Sequence, residues 1–157
     1  MKFGGSSLSS PTRIKLVSEI VKSQIKEGTT MVVFSAFGGV TNDFLYMAEL
    51  ALKEDLSYKE ILYKNEKRHL DAVKELLPIN IQSSLLSRVK SDFNRLETLY
   101  EGVFLLNELS NKTKQVVASF GELFSDRIIA EYFKSMDLDV DLVDSRELIV
   151  CKNINEK

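Results

Sequence analysis

The stretch that decides the fold runs from residue 29 to residue 42 and reads TTMVVFSAFGGVTN. Residues 29–34 are β-branched or apolar throughout, which predicts a strand buried on both faces. Residues 35–42 combine two adjacent glycines with hydroxyl and amide side chains, a pattern typical of a loop that opens a helix. We expect that helix to run to about Lys53, so the stretch indicates an α/β fold.

The segment before this stretch predicts the same order of elements. Residues 1–3 form a very short strand, a glycine turn follows, and a helix spans residues 11–26, with Ser10 as its N-cap and Pro11 as its first residue. Its apolar stripe consists of Ile14, Val17, Ile20, Val21 and Ile25. The order strand, helix, strand, helix predicts a parallel sheet with right-handed crossovers.

The middle of the chain is helical. Residues 57–77 and 81–109 have helical apolar spacing and predict two long amphipathic helices that turn near Pro78. Their stripes are Tyr58, Leu62, Val73 and Leu77 in the first, and Leu85, Val89, Phe93, Leu96, Tyr100 and Val103 in the second. This helical hairpin, an insertion of about residues 55–110, packs either on the α/β core or on a partner subunit.

The α/β pattern resumes after the hairpin. Residues 111–117 lead into SFGE at 119–122, and a helix over 123–134 follows, with the stripe Phe124, Ile128, Ile129 and Tyr132. Residues 138–143 (LDVDLV) alternate and predict a strand. The fold class is therefore α/β: a three-layer αβα domain with a mainly parallel sheet plus a long helical hairpin.

Composition excludes several classes of protein. The 157 residues suffice for one domain, and 21 Lys plus Arg against 23 Asp plus Glu give a net charge of −2, which argues against a nucleic-acid partner. No segment has the apolar length of a membrane span, and the N-terminus lacks the apolar core of a signal peptide, so we expect a cytoplasmic protein.

One cysteine and one histidine exclude an internal disulfide and the usual zinc sites, and we predict no metal site. The remaining chemistry belongs to carboxylates, lysine, hydroxyls and backbone amides, a set that favours phosphoryl transfer.

The first candidate site is KFGGSS at residues 2–7. Adjacent glycines after a strand let backbone amides approach an anion, the helix that follows adds positive partial charge, and Lys2 adds a full charge. Lys2, Gly4, Gly5 and Ser6 therefore form a candidate phosphate cradle, although no Walker A pattern occurs. A flexible glycine–serine tag is the alternative.

The second candidate is SAFGGVTN at residues 35–42, at the carboxyl end of the next strand. Ligands of open α/β sheets bind at that edge, so the two glycine loops should converge on one crevice. Ser35 and Thr41 are expected to hold a small polar substrate and Asn42 to cap the helix; an ordinary glycine turn is the alternative.

The third candidate is Glu122 in SFGE at residues 119–122, which we expect at a helix start. Glu122 either binds a substrate ammonium group or only stabilises the helix dipole.

Other polar features have plain interpretations. His69 is expected at the surface or rim, Cys151 as a small buried residue, and the charge runs 64–68 and 137–144 as solvated faces.

Taken together, KFGGSS (2–7), VVFSAFGGVTN (32–42) and SFGELFSDRIIAEYF (119–133) resemble the aspartate kinases of the amino-acid kinase family. ELSNKTKQVVASFGE (108–122) resembles the lead-in to the family's glycine–glutamate motif, and VDLVDSRELI (140–149) resembles the strand and turn after it. The resemblance covers essentially the whole chain.

The resemblance implies transfer of the γ-phosphoryl group of ATP, bound with Mg²⁺, to the side-chain carboxylate of L-aspartate, the first step toward lysine, threonine and methionine. It implies that Lys2 stabilises the transferring group, that Gly4, Gly5 and Ser6 line its path, and that aspartate is held by Ser35, Thr41 and Glu122. It also implies a homo-oligomer, a dimer, as the full-length protein.

The sequence departs from the family in two places. Only Met1 precedes Lys2, so the first strand looks clipped, and no later Gly-Arg-Gly-Gly-Ser-Asp type segment is present. We therefore interpret residues 1–157 as the N-terminal, aspartate-binding part of an incomplete domain, lacking the ATP-binding part and the regulatory ACT domains and inactive alone. The alternatives are a bifunctional aspartokinase–homoserine dehydrogenase parent and a non-catalytic dimerising module.

Overall fold

The computed structural model describes residues 1–25 and 28–149 of the chain. These residues contain two short parallel strands and six α-helices. The strands are β1 (Lys2–Phe3) and β2 (Val33–Phe34); the helices are α1 (Pro11–Ile25), α2 (Val40–Leu52), α3 (Tyr58–Leu76), α4 (Ile79–Leu106), α5 (Asn111–Lys134) and α6 (Ser145–Leu148). A 3₁₀ turn, Gly5–Leu8, precedes α1. None of the described helices is both long and apolar enough to cross a membrane.

The sheet joins the two segments that carry the glycine loops. β1 and β2 pair in parallel, with Lys2 opposite Val33 and Phe3 opposite Phe34. The bonds from Val33 N to the Met1 carbonyl (2.9 Å) and from Ser35 N to the Phe3 carbonyl (3.1 Å) complete the ladder. The predicted parallel pairing is confirmed, but helices dominate the described residues, and the mainly parallel sheet of a three-layer domain is present only as this pair.

Both longer strand predictions are wrong in extent. Of residues 29–34 only Val33–Phe34 is a strand, and the side chains of Met31 and Val33 are 82% and 51% exposed, so this segment is not buried on both faces. Residues 138–143 form no strand. A strand exists only where a neighbour completes its ladder, and β-branched sequence cannot supply that neighbour.

The helical hairpin prediction is confirmed. Helices α3 and α4 are separated only by Leu77 and Pro78, and they pack on each other and on α2 and α5 of the same chain. All ten residues of the two predicted stripes are buried. Between these helices the rings of Phe93 and Phe124 stack with centroids 4.2 Å apart, and Phe44 packs edge-on against both. The Tyr100 hydroxyl donates to the carbonyl of Phe44 (3.0 Å).

Helix α1 begins at Pro11, as predicted, while the predicted last residue, 26, lies outside the described residues. The backbone N–H of Arg13 donates to Ser10 Oγ (3.4 Å), as expected of an N-cap. Ile14, Val17 and Val21 of its stripe are buried, whereas Ile20 and Ile25 are exposed. The outer edge of the stripe was therefore wrongly assigned to the core.

Helix α5 differs most from the prediction. It begins at Asn111, where the Ser110 hydroxyl accepts from Thr113 N (3.1 Å), rather than at residue 123. Residues 119–122 therefore lie inside the helix, and the placement of Glu122 at a helix start is wrong. The helix runs through Gly121 without interruption.

Candidate functional site

The first glycine loop follows β1 directly. Lys2 is exposed, and its Nζ lies 3.8 Å from the position that a Cβ on Gly4 would occupy, so the ammonium group lies over the glycine backbone. The amide of Ser7 donates to the Gly4 carbonyl (2.9 Å), which closes the turn. The Ser6 carbonyl accepts from Ser9 Oγ (3.1 Å) and from Arg13 Nη1 (3.2 Å). The loop is thus fixed to the start of α1.

The second glycine loop joins β2 to α2. Gly39 occupies the N-cap position with φ +87°, a left-handed conformation that glycine adopts at little cost. No side chain caps α2, and Asn42 lies within the helix, so the prediction that Asn42 is the cap is wrong. Thr41 lies in the first turn of α2 and is half-buried.

The two loops meet backbone to backbone. A Cβ added to Gly5 would lie 3.1 Å from the Ala36 carbonyl oxygen, and one added to Gly38 would lie 3.0 Å from the Gly5 carbonyl oxygen. Any side chain at either glycine would push the loops apart. The two glycine loops therefore converge, as expected.

Helix α5 packs against the region where the two loops meet, from a third side. A Cβ on Gly121 would lie 2.9 Å from the Ala36 Cβ and 3.4 Å from Thr41 Oγ1. One turn later the buried Ser125 donates from Oγ to the carbonyl of Ser35 (2.8 Å). Three segments far apart in sequence therefore share one contact region, which places Glu122, half-buried and next to Gly121, at its border.

Glu122 also lines a charged cleft of about 540 Å³ between α5, Arg88 of α4 and residues 142–147. Burial, together with the charges of Glu122 and Asp144, raises the pKa of Asp126 to about 7. Arg146 binds Asp144 and lies 3.3 Å from Ser119 Oγ. The cleft presents both carboxylates and guanidinium groups, a combination that can bind both ends of a zwitterion.

No group of three or more His, Cys, Asp or Glu side chains in residues 1–25 and 28–149 could hold a metal ion. The described part of the site therefore offers backbone amides, hydroxyls, one lysine, carboxylates and guanidinium groups.

The model of the amino acid kinase family matches residues 1–156. The chain belongs to this family. Aspartokinase 1, chloroplastic, of Arabidopsis thaliana is 33% identical over 151 residues, which cover 94% of this chain and 25% of that protein. The bifunctional aspartokinase/homoserine dehydrogenase 2, chloroplastic, of Zea mays is 27% identical over 149 residues, 95% of this chain and 16% of that protein.

Among solved structures, the crystal structure of Escherichia coli aspartokinase III in complex with lysine and aspartate matches with a TM-score of 0.75. It is 22% identical, and the match covers 88% of this chain and 29% of that chain, so the likeness concerns the fold. This amino acid kinase chain thus spans about a quarter of the length of the Arabidopsis relative.

Sequence reasoning missed two residues that hold the site of this family member together. Arg68 was assigned to a solvated charge run, but it is half-buried and binds both glycine loops. Ser125 was not singled out; its only signal is a small hydroxyl one turn after Gly121 on the buried face of α5.

The expectation that His69 lies at the surface or rim is wrong. The side chain is fully buried, its ring stacks on Phe37 with centroids 4.9 Å apart, and its Nδ1 bonds the Asn65 carbonyl (2.7 Å). Burial lowers its pKa to about 4, so the ring is neutral near pH 7. Cys151, expected to be a small buried residue, lies outside the described residues.

Proposed function

We propose that this chain is the aspartate-binding part of an aspartate kinase, an enzyme that transfers the γ-phosphoryl group of ATP to the side-chain carboxylate of L-aspartate. The observation that carries the proposal is the meeting of the two glycine loops with α5 at Gly5, Gly38 and Gly121. The aspartokinase relatives support the choice of reaction within the family.

In this proposal the first loop handles the phosphoryl group. The Lys2 ammonium, held over Gly4, neutralises charge on the transferring group, while Gly4, Gly5 and Ser6 line its path. A carboxylate oxygen of aspartate forms the new O–P bond, and ADP leaves with the electrons of the broken bond. ATP would bring Mg²⁺ with it, since the described residues offer no metal cluster of their own.

The second loop and α5 bind aspartate in this proposal. Thr41 Oγ1 lies beside Gly121, and the carbonyl of Ser35 accepts from Ser125 one turn later in α5, which supports the proposal that the hydroxyls of Ser35 and Thr41 bind a small zwitterion. Glu122, on the cleft side of the same helix turn, pairs with the substrate ammonium group. We further propose that the strand pair belongs to a three-layer αβα domain, that the full-length protein is a dimer and that it resides in the cytoplasm.

A bifunctional aspartokinase–homoserine dehydrogenase is the second candidate, because proteins of that kind occur among the relatives. Their identity is 27–28%, against 33% for the Arabidopsis aspartokinase, and we therefore propose the kinase alone.

The test is ATP-dependent formation of aspartyl phosphate, trapped as hydroxamate, by the full-length protein that contains this chain. We expect product with L-aspartate and far less with L-glutamate. Absence of product with both amino acids would contradict the proposed reaction.

Glu122→Gln separates binding from folding. The change keeps the shape of the side chain and removes the charge, so we expect the Kd for L-aspartate to rise roughly 10- to 100-fold, as for loss of a charge-assisted bond. Isothermal titration calorimetry measures it. Glu131→Gln on the same helix, whose partner is Lys134, is the matched control and should leave the Kd unchanged. An unchanged Kd in Glu122→Gln would remove Glu122 from the site.

A further inference from the structure

Arg68 of α3 bonds both glycine loops at once. Its Nη1 donates to the carbonyl of Gly38 (2.8 Å) and its Nη2 donates to the carbonyl of Ser9 (3.0 Å). These acceptors lie 30 and 59 residues away in sequence, the first on the second loop and the other at the end of the 3₁₀ turn that continues the first loop. One rigid group therefore spans the place where the loops meet.

A guanidinium group fits this task because its nitrogens lie in one plane at a fixed separation. A lysine ammonium carries its three donors on one nitrogen at the end of a flexible chain, so it fixes the separation of two carbonyls less well. The Arg68 guanidinium also lies 5.9 Å from the centroid of the Phe37 ring, within cation–π range.

The next residue of α3 reinforces the same loop. His69 stacks on Phe37 with an interplanar angle of 8°, so consecutive side chains of α3 fix Phe37 and the Gly38 carbonyl. The second loop is thus anchored to the helical hairpin, whereas the first loop touches the hairpin through the Ser9 carbonyl.

We propose that Arg68 is a positioning residue that sets the distance between the phosphate-binding loop and the aspartate-binding loop. This inference rests on the proposed function for the roles of the two loops. The hydrogen bonds of Arg68 go to the carbonyls of Gly38 and Ser9, which are not among the proposed substrate-binding groups, so it acts on the alignment of two bound substrates more than on the binding of either one.

The consequence is a specific kinetic signature in the full-length protein. Small misplacements of reacting groups cost up to about 10²-fold in rate, so Arg68→Ala should lower kcat by roughly 10- to 100-fold. The KM values for ATP and L-aspartate should change by less than about threefold, because each loop keeps its own contacts. Arg68→Lys should not restore kcat, because an ammonium group carries all its donors on one nitrogen and cannot reproduce the fixed separation of Nη1 and Nη2.

Chemical rescue distinguishes positioning from a loss of folding. Methylguanidinium chloride, at concentrations too low to denature the protein, should recover part of the kcat of Arg68→Ala and leave the wild type unaffected. Lys67→Ala is the matched control, because Lys67 pairs with Asp71 on the same helix; its kcat should equal that of the wild type.

Hydrogen–deuterium exchange tests the positioning role of Arg68 without an activity measurement. Arg68→Ala should exchange faster than Lys67→Ala in peptides covering residues 2–9 and 35–40, while α4 and α5 stay unchanged. If the wild type formed no aspartyl phosphate, the proposed function would fail and this measurement would still decide the role of Arg68. Unchanged exchange in both loops, or a wild-type kcat in Arg68→Ala, would overturn the proposal.

If Arg68→Ala does not fold, Arg68→Gln, which keeps one donor group, takes its place in both measurements. A loss of kcat that follows only the folded fraction by circular dichroism, with no rescue, would also overturn the inference.

Discussion

The helical region, α2 to α5, and the loop edge, made of β1, β2 and residues 4–9 and 35–39, are held together by different forces. The helical region has stacked and edge-on aromatic rings that are fully or almost fully buried. The loop edge has two strands of two residues each, a few polar bonds, glycines in close contact, and a small share of the apolar core through Leu8, Ala36 and Phe37. The comparison teaches that apolar burial stabilises one region, while the other depends on it for its geometry.

The largest expected effect tests where stability is located. Phe124→Ala removes a ring that packs on Phe44 and Phe93, so the free energy of unfolding should fall by roughly 3–5 kcal/mol. Phe3→Ala removes a half-buried ring of the loop edge that stacks on Phe34, and about 1–2 kcal/mol is expected. Urea unfolding followed by circular dichroism measures both. Equal losses would mean that the two regions contribute alike.

The second effect concerns the contact between the two regions, where His69 lies between Phe37, Phe93 and Phe124. Its pKa of about 4 in the folded chain lies below the value of 6.5 for an unperturbed histidine. The stability it contributes is therefore complete above pH 6.5 and declines as pH falls toward 4, since the unfolded chain takes up the proton first.

His69→Phe should abolish this decline. Between pH 7 and pH 4 the wild type should lose roughly 2–3 kcal/mol more than the variant, and the nearby Arg68 charge adds to the loss. Unfolding free energies at several pH values measure the difference. Parallel curves for the two proteins would contradict a buried, neutral His69.

The smallest effect compares two glycines in long helices. Gly102 of α4 has open space where a Cβ would lie, so Gly102→Ala should stabilise the protein by about 0.5–1 kcal/mol through helix propensity. Gly121→Ala would place a Cβ 2.9 Å from Ala36, and we expect a net loss of about 1–2 kcal/mol. The change in melting temperature measures both. A stabilised Gly121→Ala protein would show that the loop edge yields easily to α5.

The same contrast explains what the sequence could predict. Helical periodicity is a local property, so the stripes of α3 and α4, from Tyr58 to Val103, were assigned correctly before any contact was known. The meeting of the glycine loops was also predictable, because the carboxyl ends of parallel strands share one edge.

The remaining features depend on partners distant in sequence. The contact of Gly121 with Ala36 cannot be inferred from the sequence, and Arg68 looks solvated unless the carbonyls of Ser9 and Gly38 are placed beside it. Residues 29–34 show β propensity, but only Val33–Phe34 has a neighbouring strand to pair with. In each case tertiary contacts overrode a local preference.

The bond from Ser125 Oγ to the Ser35 carbonyl joins residues 90 positions apart. On the ribosome, β2 and its loop are synthesised long before the helix turn that fixes them. Helices form from local contacts, and these form faster than contacts between residues far apart in sequence. The α3–α4 hairpin can therefore assemble before α5 is present to bond the second loop. The contact region is then completed late in synthesis, and a nascent chain stalled before residue 125 carries both glycine loops and Arg68 but lacks the bond that joins the second loop to α5.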